Sequence, residues 1–325
     1  MRILVTGGAG FIGSNFVRMV ARGELGEITS VRVLDKLTYA GVLANLTEAE
    51  NLNNYQFIKG DICDSKLVMD LLGDVDAIVN FAAESHVDRS IAGAKDFVQT
   101  NILGVQVLLD AMKASGKKIR FLQVSTDEVY GSINTGSWTE EWPLLPNSPY
   151  SASKASGELL ARAYQITHGL DVVITRCSNN YGTHHFPEKL IPLFITNLID
   201  GKKVPVYGNG LNVRDWLHVD DHCRGIHLAL TKGKSGEIYN IGGGRELTNL
   251  EITDLILSAM GADKKSIEFV EDRKGHDLRY SVDWTKINRN LGYQPKVTFE
   301  DGLKETINWY RENEKWWKPL KKLQE

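Results

Sequence analysis

The chain has 325 residues, 42% of them hydrophobic and 24% charged, which is ordinary for a globular protein and enough for about two domains. Its 38 basic and 41 acidic side chains leave a formal charge of −3, so nucleic acid is excluded as an expected partner. Cys63, Cys177 and Cys223 are too widely spaced for a disulfide framework or a zinc site, no run has membrane-spanning length, and Met1–Thr6 lacks the apolar stretch of a signal peptide. A soluble cytoplasmic protein without a metal is expected.

Short aliphatic runs at Ile3–Val5, Val31–Leu34, Tyr55–Ile58, Ala77–Asn80, Arg120–Val124 and Val172–Thr175 suit strands buried on both faces. Helical patterns at Ile12–Ala21, Lys66–Leu72, Lys95–Ser115 and Ser151–His168 lie between them. This alternation predicts a Rossmann-type, doubly wound parallel α/β sheet. The Lys95–Ser115 helix carries an apolar stripe at Val98, Ile102, Val105, Leu109 and Met112, widened by Leu103, Val107 and Leu108. That excess reads equally as core packing or as a helix-to-helix homodimer seam. After Cys177 the loops lengthen and Pro187, Pro192 and Pro205 punctuate the chain. A strand at Ile238–Ile241 and a helix at Leu250–Met260 follow. The expected organisation is a dinucleotide-binding domain over 1–176, with later strands contributed from about 205–245. A smaller mixed α/β substrate domain covers mainly 177–325.

Thr6-Gly-Gly-Ala-Gly-Phe-Ile-Gly13 follows the first strand and opens the first helix. Both Gly8, Gly10, Gly13 and Gly7, Gly10, Gly13 fit spacings that let backbone and helix N-terminus approach a pyrophosphate. Asp35 ends the second strand 22 residues past Gly13, where a carboxylate accepts ribose hydroxyls and disfavours the extra phosphate of NADP. Lys36 beside it leaves NADP as a minority reading. Asp61-Ile62 and Phe81-Ala82-Ala83 fall at the ends of the third and fourth strands, on the rim where open sheets bind ligands.

Tyr150 and Lys154 stand four apart at a helix start and share a face. A phenol normally titrates near 10, so its use as a base requires a neighbouring positive charge, which Lys154 and an oxidised nicotinamide would provide. The fifth strand delivers Thr126, Asp127 and Glu128 to the same rim: a hydroxyl and two carboxyls able to serve as acid and base.

These motifs resemble the extended short-chain dehydrogenase/reductases, and within them the dTDP-glucose 4,6-dehydratase family. The likeness extends through Asp35–Gly41, Asn80-Phe-Ala-Ala-Glu-Ser-His-Val-Asp-Arg-Ser90, Ser125–Gly131, Tyr150–Lys154, Arg176–Gly182, His185–Pro192 and Arg214–Val219, nearly the whole chain. The glycine motif and the Tyr-Lys pair identify the superfamily; Thr126-Asp127-Glu128 points to the dehydratases. The resemblance implies oxidation at carbon 4 with Tyr150 as base, removal of the carbon-5 proton by Glu128, protonation of the leaving carbon-6 hydroxyl by Asp127, and hydride return to carbon 6. It further implies NAD contacts from Phe11, Ile12, Lys36, Leu37, Thr38, Ser85, Thr100 and Asn180. Around the nucleotide sugar it places Ser85, Thr126, Asn179, Lys189, Leu190, Val206, Tyr207, Arg214, Asn249, Arg273 and His276. Arg214 and Arg273 suit phosphate oxygens, and Tyr207 could stack on the base. Asp272-Arg-Lys-Gly-His276 departs from the family pattern, with Lys274 where proline is usual, which bears on the rigidity of that loop. His184-His185 lacks a suitably spaced third ligand and reads as loop.

A UDP-glucose 4,6-dehydratase stays open, since these residues do not select the base. A nucleotide-sugar 4-epimerase or decarboxylase would use the same redox residues but leaves Asp127 and Glu128 without a task. A non-catalytic NAD sensor would need neither pair.

Overall fold

The computed structural model describes residues 1–322. Twelve strands occur among them: β1 (Arg2–Thr6), β2 (Ser30–Asp35), β3 (Tyr55–Lys59), β4 (Ala77–Asn80), β5 (Arg120–Thr126), β6 (Asp171–Cys177), β7 (Asn179–Tyr181), β8 (Val204–Tyr207), β9 (Val213–His218), β10 (Ile238–Ile241), β11 (Glu246–Thr248) and β12 (Ile267–Val270). Seven form one sheet in the order β10-β6-β5-β4-β1-β2-β3. Every pairing in it is parallel. The order reverses between β1 and β4, so the loops leaving their carboxyl ends diverge and open a crevice.

Side-chain alternation explains the two covered faces. Val5, Val33, Val79, Leu122 and Val173 enter one buried cluster, while Leu4, Leu34, Ile78, Phe121 and Val172 enter the cluster on the other face. Of the 205–245 stretch expected to lend strands to this sheet, β10 does so, in register with β6. The other strands there pair elsewhere: β9 lies between β7 and β11, and β8 pairs with β12. A third cluster, including Ile191, Phe194, Ile252, Leu303 and Trp317, packs the helices Leu190–Ile199, Asn249–Met260 and Phe299–Glu312 around these smaller sheets.

The helix expected over Lys95–Ser115 is interrupted. Gln99–Gly104 widens into a π turn between α-helical segments. Buried Asn101 lies in that turn; its amide exchanges hydrogen bonds with the Glu84 backbone and donates to Ser153 Oγ at 2.8 Å. Tertiary bonding thus reshapes a segment that local periodicity reads as uniform, as is common for π turns near functional sites. The apolar stripe also divides. Val105, Leu108, Leu109 and Met112 are core, whereas Val98 and Leu103 are exposed, as are Leu159 and Ile166 on the Pro149–His168 helix. The two helices meet closely: a Cβ on Gly157 would lie 2.4 Å from the Asn101 carbonyl oxygen. No described helix is long and apolar enough to cross a membrane.

Candidate active site

Two adjoining clefts open on the carboxyl-end rim. The first, of about 300 Å³, is lined by the glycine loop, the ends of β2 to β5, and Tyr150 and Lys154. Every residue assigned above to the cofactor lines it except Leu37, whose backbone instead takes a left-handed turn (φ 55°) and whose N–H donates to Asp35 Oδ1 at 2.7 Å. The second, of about 620 Å³, is lined by every residue assigned to the substrate except Thr126, which faces the first.

The loop uses its glycines unequally. A Cβ on Gly7 would meet the Ala82 nitrogen at 2.5 Å, and one on Gly13 would meet the Gly7 carbonyl oxygen at 2.4 Å. Gly8 packs away from the cleft, its Cβ position 2.7 Å from the Val33 side chain. The Gly7, Gly10, Gly13 spacing is therefore the one that shapes the cradle. Gly10 caps the Phe11–Ala21 helix without a side-chain bond, leaving its first N–H groups available to an anion. Asp35 is nearly buried; it accepts from Ala9 N at 2.8 Å and from Leu37 N, and burial still raises its carboxyl above the ordinary range. Lys36 is paired with Asp61 at 2.8 Å. This cradle, acid and small-residue wall fit the pyrophosphate and ribose of a dinucleotide.

β5 ends on Thr126, whose Oγ1 accepts from Glu128 N at 3.3 Å and donates to Asp127 Oδ1 at 3.2 Å. This threonine cap starts the short 3₁₀ turn Asp127–Tyr130 and points both carboxyls at the rim. Burial raises both, but their neighbours differ. Glu128 and Asp215 raise Asp127 further against Arg214, and its Oδ2 is buried without a hydrogen-bond partner. Glu128 is opposed by three cations: Arg214, Lys189 and Arg273. Asp127 is thus the better proton donor and Glu128 the better acceptor.

The Tyr150 helix begins at Pro149, two residues earlier than the expected Ser151, because Ser148 and Ser151 form a reciprocal cap and Pro149 occupies the first position. Lys154 Nζ donates to the Val124 carbonyl at 2.7 Å, and burial lowers it to about 8. Tyr150 is held well above its ordinary value by burial, then by Glu128, Cys177 and Asp127. In the chain alone burial first, and the nearby acids after it, keep Tyr150 a phenol, so the phenolate expected with Lys154 also needs the charge of an oxidised nicotinamide. Cys177 lies beside the pair, its thiol donating to Ser125 O and pushed up by burial.

On the substrate side, Arg214 donates to the carbonyls of Val213 and Asp277 and lies 4.2 Å above the Tyr280 ring. Lys189 Nζ donates to Ser85 O at 3.0 Å. Tyr207 lies under Arg273, 4.9 Å from its guanidinium. The loop carrying Lys274 is tied without proline: Asp272 Oδ1 bonds His276 Nδ1 at 2.6 Å and Arg273 N at 2.9 Å, while Lys274 faces solvent. His184 and His185 pack rather than pair, on Trp309 and Phe11 respectively. Tyr39, Phe186 and Glu188 in the first cleft, and His86, Arg89 and Tyr280 in the second, escaped the sequence reading. Tyr39, Phe186, Glu188, His86 and Arg89 lie inside quoted motifs; Tyr280 has no local signal.

The family described as GDP-mannose 4,6 dehydratase matches residues 4–306. A dTDP-glucose 4,6-dehydratase of Streptomyces niveus is 60% identical over 324 residues, covering 99% of this chain and 96% of the relative. Among solved structures, DesIV, a dTDP-glucose 4,6-dehydratase from Streptomyces venezuelae crystallised with NAD and TYD bound, superposes with TM-score 0.97 at 60% identity, covering 98% of this chain and all of the other. A UDP-glucuronic acid 4-epimerase from Bacillus cereus shares the fold at TM-score 0.89 but only 30% identity, covering 96% of this chain and 99% of that one. With the acid pair in place and the likeness running end to end, the chain belongs to the dTDP-glucose 4,6-dehydratase family of extended short-chain dehydrogenase/reductases.

Proposed function

We propose that the chain is an NAD-dependent dTDP-glucose 4,6-dehydratase that forms dTDP-4-keto-6-deoxyglucose. The observation that carries this reading is the asymmetry of Asp127 and Glu128, neighbours on one turn: burial raises both, but two acids raise Asp127 further whereas three cations oppose the rise of Glu128. A ketone at carbon 4 acidifies the carbon-5 proton, and elimination then needs one base and one acid on the same face. Glu128, faced by three cations, is the base; Asp127, whose carboxyl is raised well above its ordinary range, hands its proton to the departing carbon-6 hydroxyl. Tyr150 takes the proton of the carbon-4 hydroxyl, which Thr126 positions, and Lys154 supplies charge below the pH where it titrates. NAD held by the glycine cradle, Asp35 and the alanine wall supplies the hydride acceptor for carbon 4, the donor for carbon 6 and, when oxidised, a positive charge favouring the Tyr150 phenolate.

Residues 1–176 with β10 form the cofactor domain in this reading, and 177–325 mainly shape the substrate cleft. Lys189, Arg214 and Arg273 hold the diphosphate. A second copy of the chain is the partner, joined through exposed Val98, Leu103, Leu159 and Ile166. The three free cysteines, two of them buried, suit a reducing cytoplasm.

Supplying dTDP-glucose in heavy water and following the product by NMR tests the reaction. Deuterium at carbon 5 and hydride movement from carbon 4 to carbon 6 are expected. An epimer with carbon 6 untouched would overturn the reading, and parallel reactions with UDP-glucose decide the base.

A further inference from the structure

The motif Asn80–Ser90 contains an arginine that the chemistry above leaves without a task. Arg89 lies on the Val87–Ala92 helix, where its guanidinium sits 3.8 Å from the centre of the Tyr39 ring and 3.2 Å from Glu188 Oε2. Tyr39 in turn meets Phe186 edge-on, with centroids 5.6 Å apart. Tyr39, Phe186 and Glu188 all line the cofactor cleft, from two loops far apart in sequence. A single side chain therefore bridges the loop after β2, the helix after β4 and the loop before the Leu190–Ile199 helix. We propose that Arg89 is a positioning residue that latches the Tyr39 loop over the cofactor cleft and keeps the reduced cofactor from leaving between the two hydride transfers.

The inference rests on the dehydratase reading, because only a closed redox cycle needs the reduced cofactor to stay in place. Its physical basis is an asymmetry of burial. Arg89 is half exposed, but the Glu188 side chain is only 8% exposed and its Oε1 has no hydrogen-bond partner. A rim ion pair contributes little, whereas a nearly buried carboxylate deprived of its counter-charge is costly. Among the described residues Arg89 makes the close ion pair to Glu188. His86 Nε2 is 3.9 Å from the same carboxylate oxygen, yet burial keeps this imidazole neutral down to about 3. The Lys189 ammonium attracts Glu188 only from a distance, because it is hydrogen-bonded to Ser85 O. Removing Arg89 thus loosens both the Glu188 loop and the stacked face of Tyr39.

The test uses the full-length protein loaded with NADH and chased with excess NAD, with release followed by NADH fluorescence. Arg89→Ala should release NADH roughly tenfold faster than wild type, the scale of one partly exposed cation–π contact plus its ion pair. During turnover of dTDP-glucose it should also shed free NADH and dTDP-4-ketoglucose, which the wild type should retain. Arg89→Lys should restore retention only in part, since an ammonium can pair with Glu188 but lacks the planar face for Tyr39. Should Arg89→Ala fail to fold, Tyr39→Leu carries the same expectation. NADH release within about twofold of wild type in the folded variant would overturn the latch. Failure of the wild type to dehydrate dTDP-glucose would instead overturn the reaction assignment, while the release rates would still measure the latch.

Discussion

Replacing Lys154 with methionine should make a more stable protein and a much poorer enzyme. Lys154 is almost fully buried, and burial draws it from 10.5 to about 8. Folding therefore disfavours its charged form. At 1.36 kcal/mol per pH unit, the gap costs the folded state about 3 kcal/mol at pH 7. Methionine also forfeits the bond to Val124 O, worth about 1 kcal/mol, so Lys154→Met should gain about 2 kcal/mol. The sign follows from proton counting. Between pH 8 and 10.5 the unfolded chain binds more protons than the folded one, so wild-type stability rises through that window. The penalty is fully present below about 8 and vanishes above 10.5. Urea unfolding of both proteins without added NAD, at pH 7 and pH 10, should show the methionine variant ahead at the lower pH and level at the higher, with equal slopes. Activity should fall about 10²- to 10⁴-fold, the usual contribution of an acid–base group. A variant less stable than wild type at pH 7, or an advantage independent of pH, would refute the assignment of burial as the dominant influence on Lys154.

Glu128→Gln should still oxidise carbon 4 and accumulate bound NADH, visible by absorbance, yet lose no water; unimpaired turnover would remove Glu128 from its role. Gly13→Ala places a methyl 2.4 Å from the Gly7 carbonyl oxygen and should weaken NAD binding by about 10²-fold in calorimetry, whereas Gly8→Ala, which meets Val33, should chiefly lower the melting temperature. Burial lowers His222 to about 3, so the unfolded chain binds the extra proton between there and 6.5. Stability should therefore drop as pH falls through that range, by about 2 kcal/mol at pH 5 from this residue, and His222→Asn should blunt the loss in acid denaturation curves.

Much of the cofactor half was legible in the sequence because its determinants are local. Glycines admit close backbone approach wherever they follow a strand and open a helix, and Asp35 ends its strand by chain position alone. Tyr150 and Lys154 share a face through helical geometry, whatever surrounds them. The acid pair was visible as residues, though not as an acid and a base. That distinction comes from Asp215, Arg214, Lys189 and Arg273, which the fold gathers from separate segments. Likewise the π turn at Gln99–Gly104, the placement of Lys154 on Val124 O and the bridge from Arg89 to Tyr39 and Glu188 depend on atoms tens of residues apart. Pattern and spacing specify which groups reach the rim, because dihedral period and strand ends are set by neighbouring residues. Their protonation is decided only when the tertiary structure removes water and selects the charges left beside them.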